Sequence, residues 1–118
     1  MNKFVKLKIK GSIWKIKFVN EIDKSDDKVL GLTIYDTKTI YVLNNLSGTL
    51  FEETLTHELL HATLYECGSC LCHDEQIIFL LTNVFDSVAN SIKTILLEQQ
   101  KETEKNLDYQ FFKNKKHL

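Results

Sequence analysis

The spacing of the apolar residues changes once along this chain, near residue 48, from every second position to every third or fourth. In the first part, Val5, Leu7 and Ile9 alternate with Lys6, Lys8 and Lys10, and Trp14, Ile16 and Phe18 alternate with Lys15 and Lys17. A period of two is that of a strand with one face covered. Gly11-Ser12 between the two runs predicts a two-residue hairpin turn with glycine first. Residues 32–35 and 39–43 read as two further strands around an Asp36-Thr37-Lys38 turn, after a polar, acidic stretch over residues 20–28.

Beyond residue 48 the pattern is helical. Thr49 followed by Glu52 matches a capping box, and Gly68 is the expected stop for a helix running to about Cys67. Asp74 then predicts the cap of a second helix, in which Ile77, Leu81, Val84, Val88, Ile92 and Ile95 recur at helical spacing and which continues past Gln99. Residues 113–118 are expected to fray. Four strands followed by two long helices predict an α+β fold with an antiparallel sheet, built as a single domain over residues 1–118. Trp14 and Phe18 are expected in its core.

The first helix carries the chemistry. His57-Glu58-Leu59-Leu60-His61 reads H-E-x-x-H, and residues four apart share a helix face, so both imidazoles can address one centre. Phe51, Leu55, Leu59 and Ala62 cluster on the side away from the histidines. Two neutral imidazoles form half of a tetrahedral Zn²⁺ shell. Glu58, about 100° around the helix from His57, sits beside such an ion rather than on it. There it can take a proton from a water whose pKa zinc lowers to about 7, the arrangement of a zinc hydrolase. Catalytic zinc sites take a third protein ligand. His61 and Glu75 each lie seven positions from Gly68, so an antiparallel second helix brings Glu75 level with His61; His73, nearer the turn, is the alternative.

Thr56-His57-Glu58-Leu59-Leu60-His61-Ala62, with Tyr65-Glu66-Cys67-Gly68 and His73-Asp74-Glu75-Gln76-Ile77-Ile78, resembles the small zinc metallopeptidases of phages and prophages. These are zincin-like proteins related to ImmA/IrrE-type and SprT-like domains. Gly31-Leu32-Thr33-Ile34-Tyr35 and Thr39-Ile40-Tyr41-Val42 resemble the strand pair that leads into their metal helix. The resemblance covers residues 31–90 and implies a zincin-like fold, a zinc cofactor and a protein or peptide substrate. Its glutamate branch implies Glu75 as third ligand, its SprT-like branch a histidine at His73. The histidine-extended motif of metzincins is absent, since Leu64 and Cys67 stand where it would continue.

Other classes fit less well. Cys67, Cys70, Cys72 and His73 could form a structural zinc knuckle, though sites of that kind normally bring two separated ligand pairs; buried cysteines filling a corner between helices are the plainer alternative. A binding or sensor module on the same scaffold, without turnover, is the other non-enzymatic reading. All 15 basic residues are lysine and the net charge is −1, so no sequence-specific nucleic-acid partner is expected. The lysines of the first two strands read as the solvated face of a sheet. No apolar run spans a bilayer. Residues 1–10 lack a signal-peptide core and the cysteine count is odd, so a reducing, cytoplasmic setting is expected. Tyr35, Tyr41 and Tyr65 are candidate donors to a reaction intermediate. The strand at residues 39–43 is a candidate edge for an extended peptide, and the second helix a candidate dimer contact.

Overall fold

The computed structural model describes the backbone of residues 3–116 and the side chains of residues 4–106. The strands are β1 (Lys3–Ile9), β2 (Ser12–Val19), β3 (Gly31–Ile34) and β4 (Thr39–Leu43), followed by helix α1 (Gly48–Glu66), a 3₁₀ turn (Cys70–His73) and helix α2 (Glu75–Lys116). The α+β layout expected from the change of period is present. The fraying expected at residues 113–118 concerns side chains, and for the last two residues backbone, outside those described. Two compact units divide the chain, Met1–Asn83 and Val84–Leu118. The second consists of the continuation of α2, where Val88, Ile92 and Ile95 are exposed. No helix among the described residues is long and apolar enough to cross a membrane.

In the first unit the sheet has the order β1-β2-β4-β3. β1 and β2 form the expected hairpin, but the turn lies one residue earlier than glycine-first geometry requires. Ile9 pairs with Ser12, and the two central residues, Lys10 and Gly11, both have positive φ, 52° and 88°. Glycine accepts this conformation freely, whereas lysine does so against its Cβ. The sheet is mixed rather than antiparallel. β3 and β4 form an antiparallel hairpin whose second strand, β4, pairs in parallel with β2. The connection over residues 20–30 carries the chain past the place beside β2, so β3 becomes an edge and β4 an interior strand.

Directly paired residues share a face of the sheet. Trp14, Ile16, Ile40 and Val42 point to one side and, with Ile9 and Ala62, make the buried core; Phe18, Tyr35, Phe51, Leu55 and Leu59 pack around it. The face of α1 expected to be apolar is thus the one laid on the sheet. Trp14 is fully buried, and its Nε1 donates to Glu66 Oε1 at 3.1 Å. Lys38 Nζ reaches the same oxygen at 3.0 Å and holds the Glu66 carboxyl below the ordinary range. These bonds fasten the last turn of α1 to both hairpins.

α1 starts earlier than the capping-box reading has it. Ser47 is the N-cap, with extended backbone and no side-chain cap bond, so Thr49 lies inside the first turn. The other end is as expected: Gly68 takes φ +77° just beyond the helix. Asp74 caps α2 with Oδ1, accepting from the amides of Gln76 and Ile77 at 3.0 and 3.1 Å.

Candidate metal centre

Two histidines and two glutamates of the first unit come together where α1, β3 and the start of α2 meet. His57 and His61 stand one turn apart with ring centroids 5.0 Å from each other. Because Asp74 stops the 3₁₀ turn and starts α2, Glu75 is that helix's first residue, opposite both rings. One carboxylate oxygen lies 3.1 Å from His57 Nε2 and the other 3.1 Å from His61 Nε2. One ligand atom from each of the three residues falls within 4.8 Å of the others; among the described residues no further group of three or more His, Cys, Asp or Glu side chains converges in this way. His73 is outside the group. Its ring stands edge-on to Tyr35, centroids 5.0 Å apart, and lines the same cleft.

The hydrogen bonds of His61 fix the meaning of these distances. Its Nδ1 lies 2.6 Å from the carbonyl oxygen of Cys72, which can only accept, so Nδ1 carries the proton. In the neutral ring Nε2 then holds a bare lone pair, directed at an anionic oxygen 3.1 Å away. That contact is repulsive unless a proton or a metal cation lies between the two atoms. In a tetrahedral site with bonds near 2.1 Å, neighbouring ligand atoms are about 3.4 Å apart. The donor set of two imidazole nitrogens and a carboxylate, with one ring oriented through a backbone carbonyl, fits Zn²⁺.

Glu58 is the second element of the site. It is buried, at 6% exposure, on the flank of α1 facing β3. Thr33 Oγ1 donates to its Oε1 at 3.2 Å and sits 3.3 Å from its backbone carbonyl. Burial pushes its carboxyl up from the ordinary range, against the opposing pull of His57, His61 and the Thr33 hydrogen bond. Gly31 makes this approach possible: a Cβ there would lie 2.8 Å from Glu58 Cγ and 3.0 Å from Thr54 Cγ2.

Tyr35 ties the parts together. Its hydroxyl donates to the Cys72 carbonyl at 2.9 Å and lies 3.2 Å from His61 Nδ1. The ring is wedged against Tyr65 and Trp14. Burial, with Cys72 close by, raises its pKa above the ordinary phenol range. Since that proton is committed to a carbonyl, Tyr35 is not the free donor considered from the sequence. The cysteines do not converge as a ligand group among the described residues: all three are free, Cys72 buried and Cys67 and Cys70 exposed.

A cleft of about 310 Å³ opens on the site, lined by Gly31, Leu32 and Thr33 on one side and by His57, Glu58, His61, His73 and Glu75 on the other. A second, of about 340 Å³, adjoins it through Gly31, His57 and Glu58. The strand beside these clefts is β3. β4, the candidate peptide edge in the sequence, has neighbours on both sides and cannot accept another strand. Thr33, Gly31 and the Cys72 carbonyl are site groups that sequence reasoning missed. The strand alternation places Thr33 on the core face, but nothing marks a backbone carbonyl as a partner of His61. Comparison with family models, curated proteins and solved structures finds no match to this chain.

Proposed function

We propose that the chain is a zinc-dependent hydrolase of the zincin-like kind, cleaving peptide bonds, with His57, His61 and Glu75 holding the metal. The observation that carries this reading is the convergence of His57, His61 and Glu75, with His61 Nε2 3.1 Å from a carboxylate oxygen while its Nδ1 is engaged by the Cys72 carbonyl. When bound, Zn²⁺ supplies a Lewis acid for a carbonyl and lowers the pKa of a water towards about 7.

Glu58 accepts the proton released on attack and returns it to the leaving amine. Two features suit it to that work. Thr33 fixes the direction of its carboxylate, and burial raises its proton affinity above that of a free carboxylate. The open edge of β3 among the described residues would take an extended peptide by strand addition, laying it along the cleft that Gly31, Leu32 and Thr33 line. The resemblance of the Thr56–Ala62 run to phage and prophage metallopeptidases supports the same reading, and the free thiols suit a cytoplasmic setting.

The test compares wild type, Glu58→Gln and His57→Ala/His61→Ala for zinc content and for hydrolysis of a quenched-fluorescence peptide mixture. Wild type should hold one equivalent of zinc and cleave. Glu58→Gln should keep the zinc and lose a hundredfold or more in rate, the scale of general base catalysis at about 10²–10⁴. The double variant should lose both. Full zinc in the double variant would overturn the site, and cleavage by Glu58→Gln at the wild-type rate would overturn the role of Glu58.

A further inference from the structure

The sheet face turned away from α1 has an unusual composition. None of the four strands contains an aspartate or glutamate. Pairing across the sheet arranges the outward side chains in rows. One row runs Phe4, Lys17, Tyr41, Leu32; the next runs Lys6, Lys15, Thr39, Ile34; a third holds Lys8 and Ile13. Four lysines thus sit together, and Lys6 is directly opposite Lys15, a like-charge pairing that disfavours the strands it joins. None of the four makes an ion pair among the described residues. Around them stand apolar side chains open to solvent: Phe4 at 52% exposure, Ile13 at 57%, Leu32 at 40% and Ile34 at 36%. Lys17 Nζ lies over the Tyr41 ring, 5.9 Å from its centroid.

A merely solvated face would not need both features. Charges alone would keep it soluble, and mixed signs would do so without repulsion across Lys6 and Lys15. Exposed apolar and aromatic groups set among cations of one sign mark a contact surface for an anion with flat apolar parts. Phosphates meet lysines as point charges, and bases stack on aromatic rings. The face is a sheet surface without arginine or a projecting element to enter a groove, so it suits an unpaired strand rather than a duplex. We propose that this face binds single-stranded nucleic acid through Lys6, Lys8, Lys15 and Lys17, without sequence preference, with Tyr41 and Phe4 as stacking surfaces. The proposal is independent of the metal centre, which lies on the opposite side of the sheet.

The experiment is fluorescence anisotropy of the full chain with labelled dT20 between 50 and 200 mM KCl. Four phosphate contacts on a single strand give a slope of log K against log salt of about −2.8, a loss of about fifty-fold over that range. Lys6→Gln/Lys15→Gln should halve the slope, leaving a loss of about sevenfold, and should melt no lower than wild type because a repulsion is removed. Lys8→Gln/Lys17→Gln is the second pair, in case the first disturbs the hairpin. Tyr41→Leu should weaken binding fivefold or more at constant slope. No binding at 50 mM, binding by both lysine variants equal to that of wild type, or equal affinity for poly-glutamate or for phosphatidylserine vesicles would overturn the proposal. His57→Ala/His61→Ala should bind dT20 as wild type does.

Discussion

Replacing Gly31 by alanine tests how closely β3 is pressed onto the Glu58 side chain. The added methyl would stand 2.8 Å from Glu58 Cγ, 3.0 Å from Thr54 Cγ2 and 3.2 Å from Glu58 Cδ. Carbon atoms in good contact are about 3.5–4.0 Å apart, so all three distances are repulsive. The strand cannot simply retreat, because Gly31 is paired with Val42 and the next residues with Tyr41 and Ile40. Nor can Glu58 swing away freely, since its carboxylate is buried and takes the Thr33 hydrogen bond. Overpacking of this kind costs about 1–3 kcal/mol. Gly48 is the control. Nothing lies within 4 Å of a Cβ there, and alanine in the first turn of α1 should be neutral or stabilise by up to about 1 kcal/mol. Urea unfolding of wild type and both variants provides the numbers, and on the proposed function the peptide assay should show slower cleavage by Gly31→Ala. Stability of Gly31→Ala within about 0.5 kcal/mol of wild type, the range of an ordinary surface change, would show that β3 and α1 are not in the contact described.

Glu58→Gln should also change stability with pH in the metal-free protein. Because burial raises the folded carboxyl, the unfolded chain ionises first, and stability falls as pH climbs through the ordinary carboxylate range, levelling once the folded group has ionised. Glutamine lacks this loss, so the advantage of the variant should grow as pH climbs through and above the ordinary carboxylate range; a difference constant with pH would contradict it. Tyr35→Phe removes the donor to the Cys72 carbonyl but leaves His61 Nδ1 on it. It should cost about 1 kcal/mol by denaturant titration and, if the proposed site holds zinc, weaken it about tenfold in a chelator competition; unchanged zinc affinity would separate the phenol from the proposed metal centre. Lys10→Asn, which eases a positive φ in the first hairpin, should raise stability by several tenths to about 1 kcal/mol, read as a higher midpoint in urea.

The local features of this fold were largely legible in the sequence. Alternation placed the strands to within a few residues, Asp74 and Gly68 marked helix ends through their side-chain and backbone chemistry, and the i, i+4 histidines implied a shared face. Non-local choices were not legible. Whether β2 finds β3 or β4 beside it depends on the path of residues 20–30, and alternation says nothing of path, so the sheet came out mixed and its open edge fell to β3. The first hairpin turn and the N-cap of α1 were misplaced by one and two residues. Gly-Ser and Lys-Gly are both credible turn pairs, and Ser47 and Thr49 are both credible caps, so only tertiary packing decides. At the candidate site, counting from Gly68 brought Glu75 level with His61, but Thr33 and Gly31 owe their roles to the strand that happens to cover Glu58. The Cys72 carbonyl belongs to every residue type alike and has no signature.

The chain has one tryptophan, and it lies fully enclosed between the sheet and the last turn of α1, with Tyr65 and Tyr35 edge-on to its indole at 6.2 and 6.5 Å. Tyr35 in turn touches the carbonyl that orients His61. The indole is therefore a native optical gauge: its emission should register any repacking of that aromatic corner, so that ion uptake and unfolding can both be followed in the unlabelled protein.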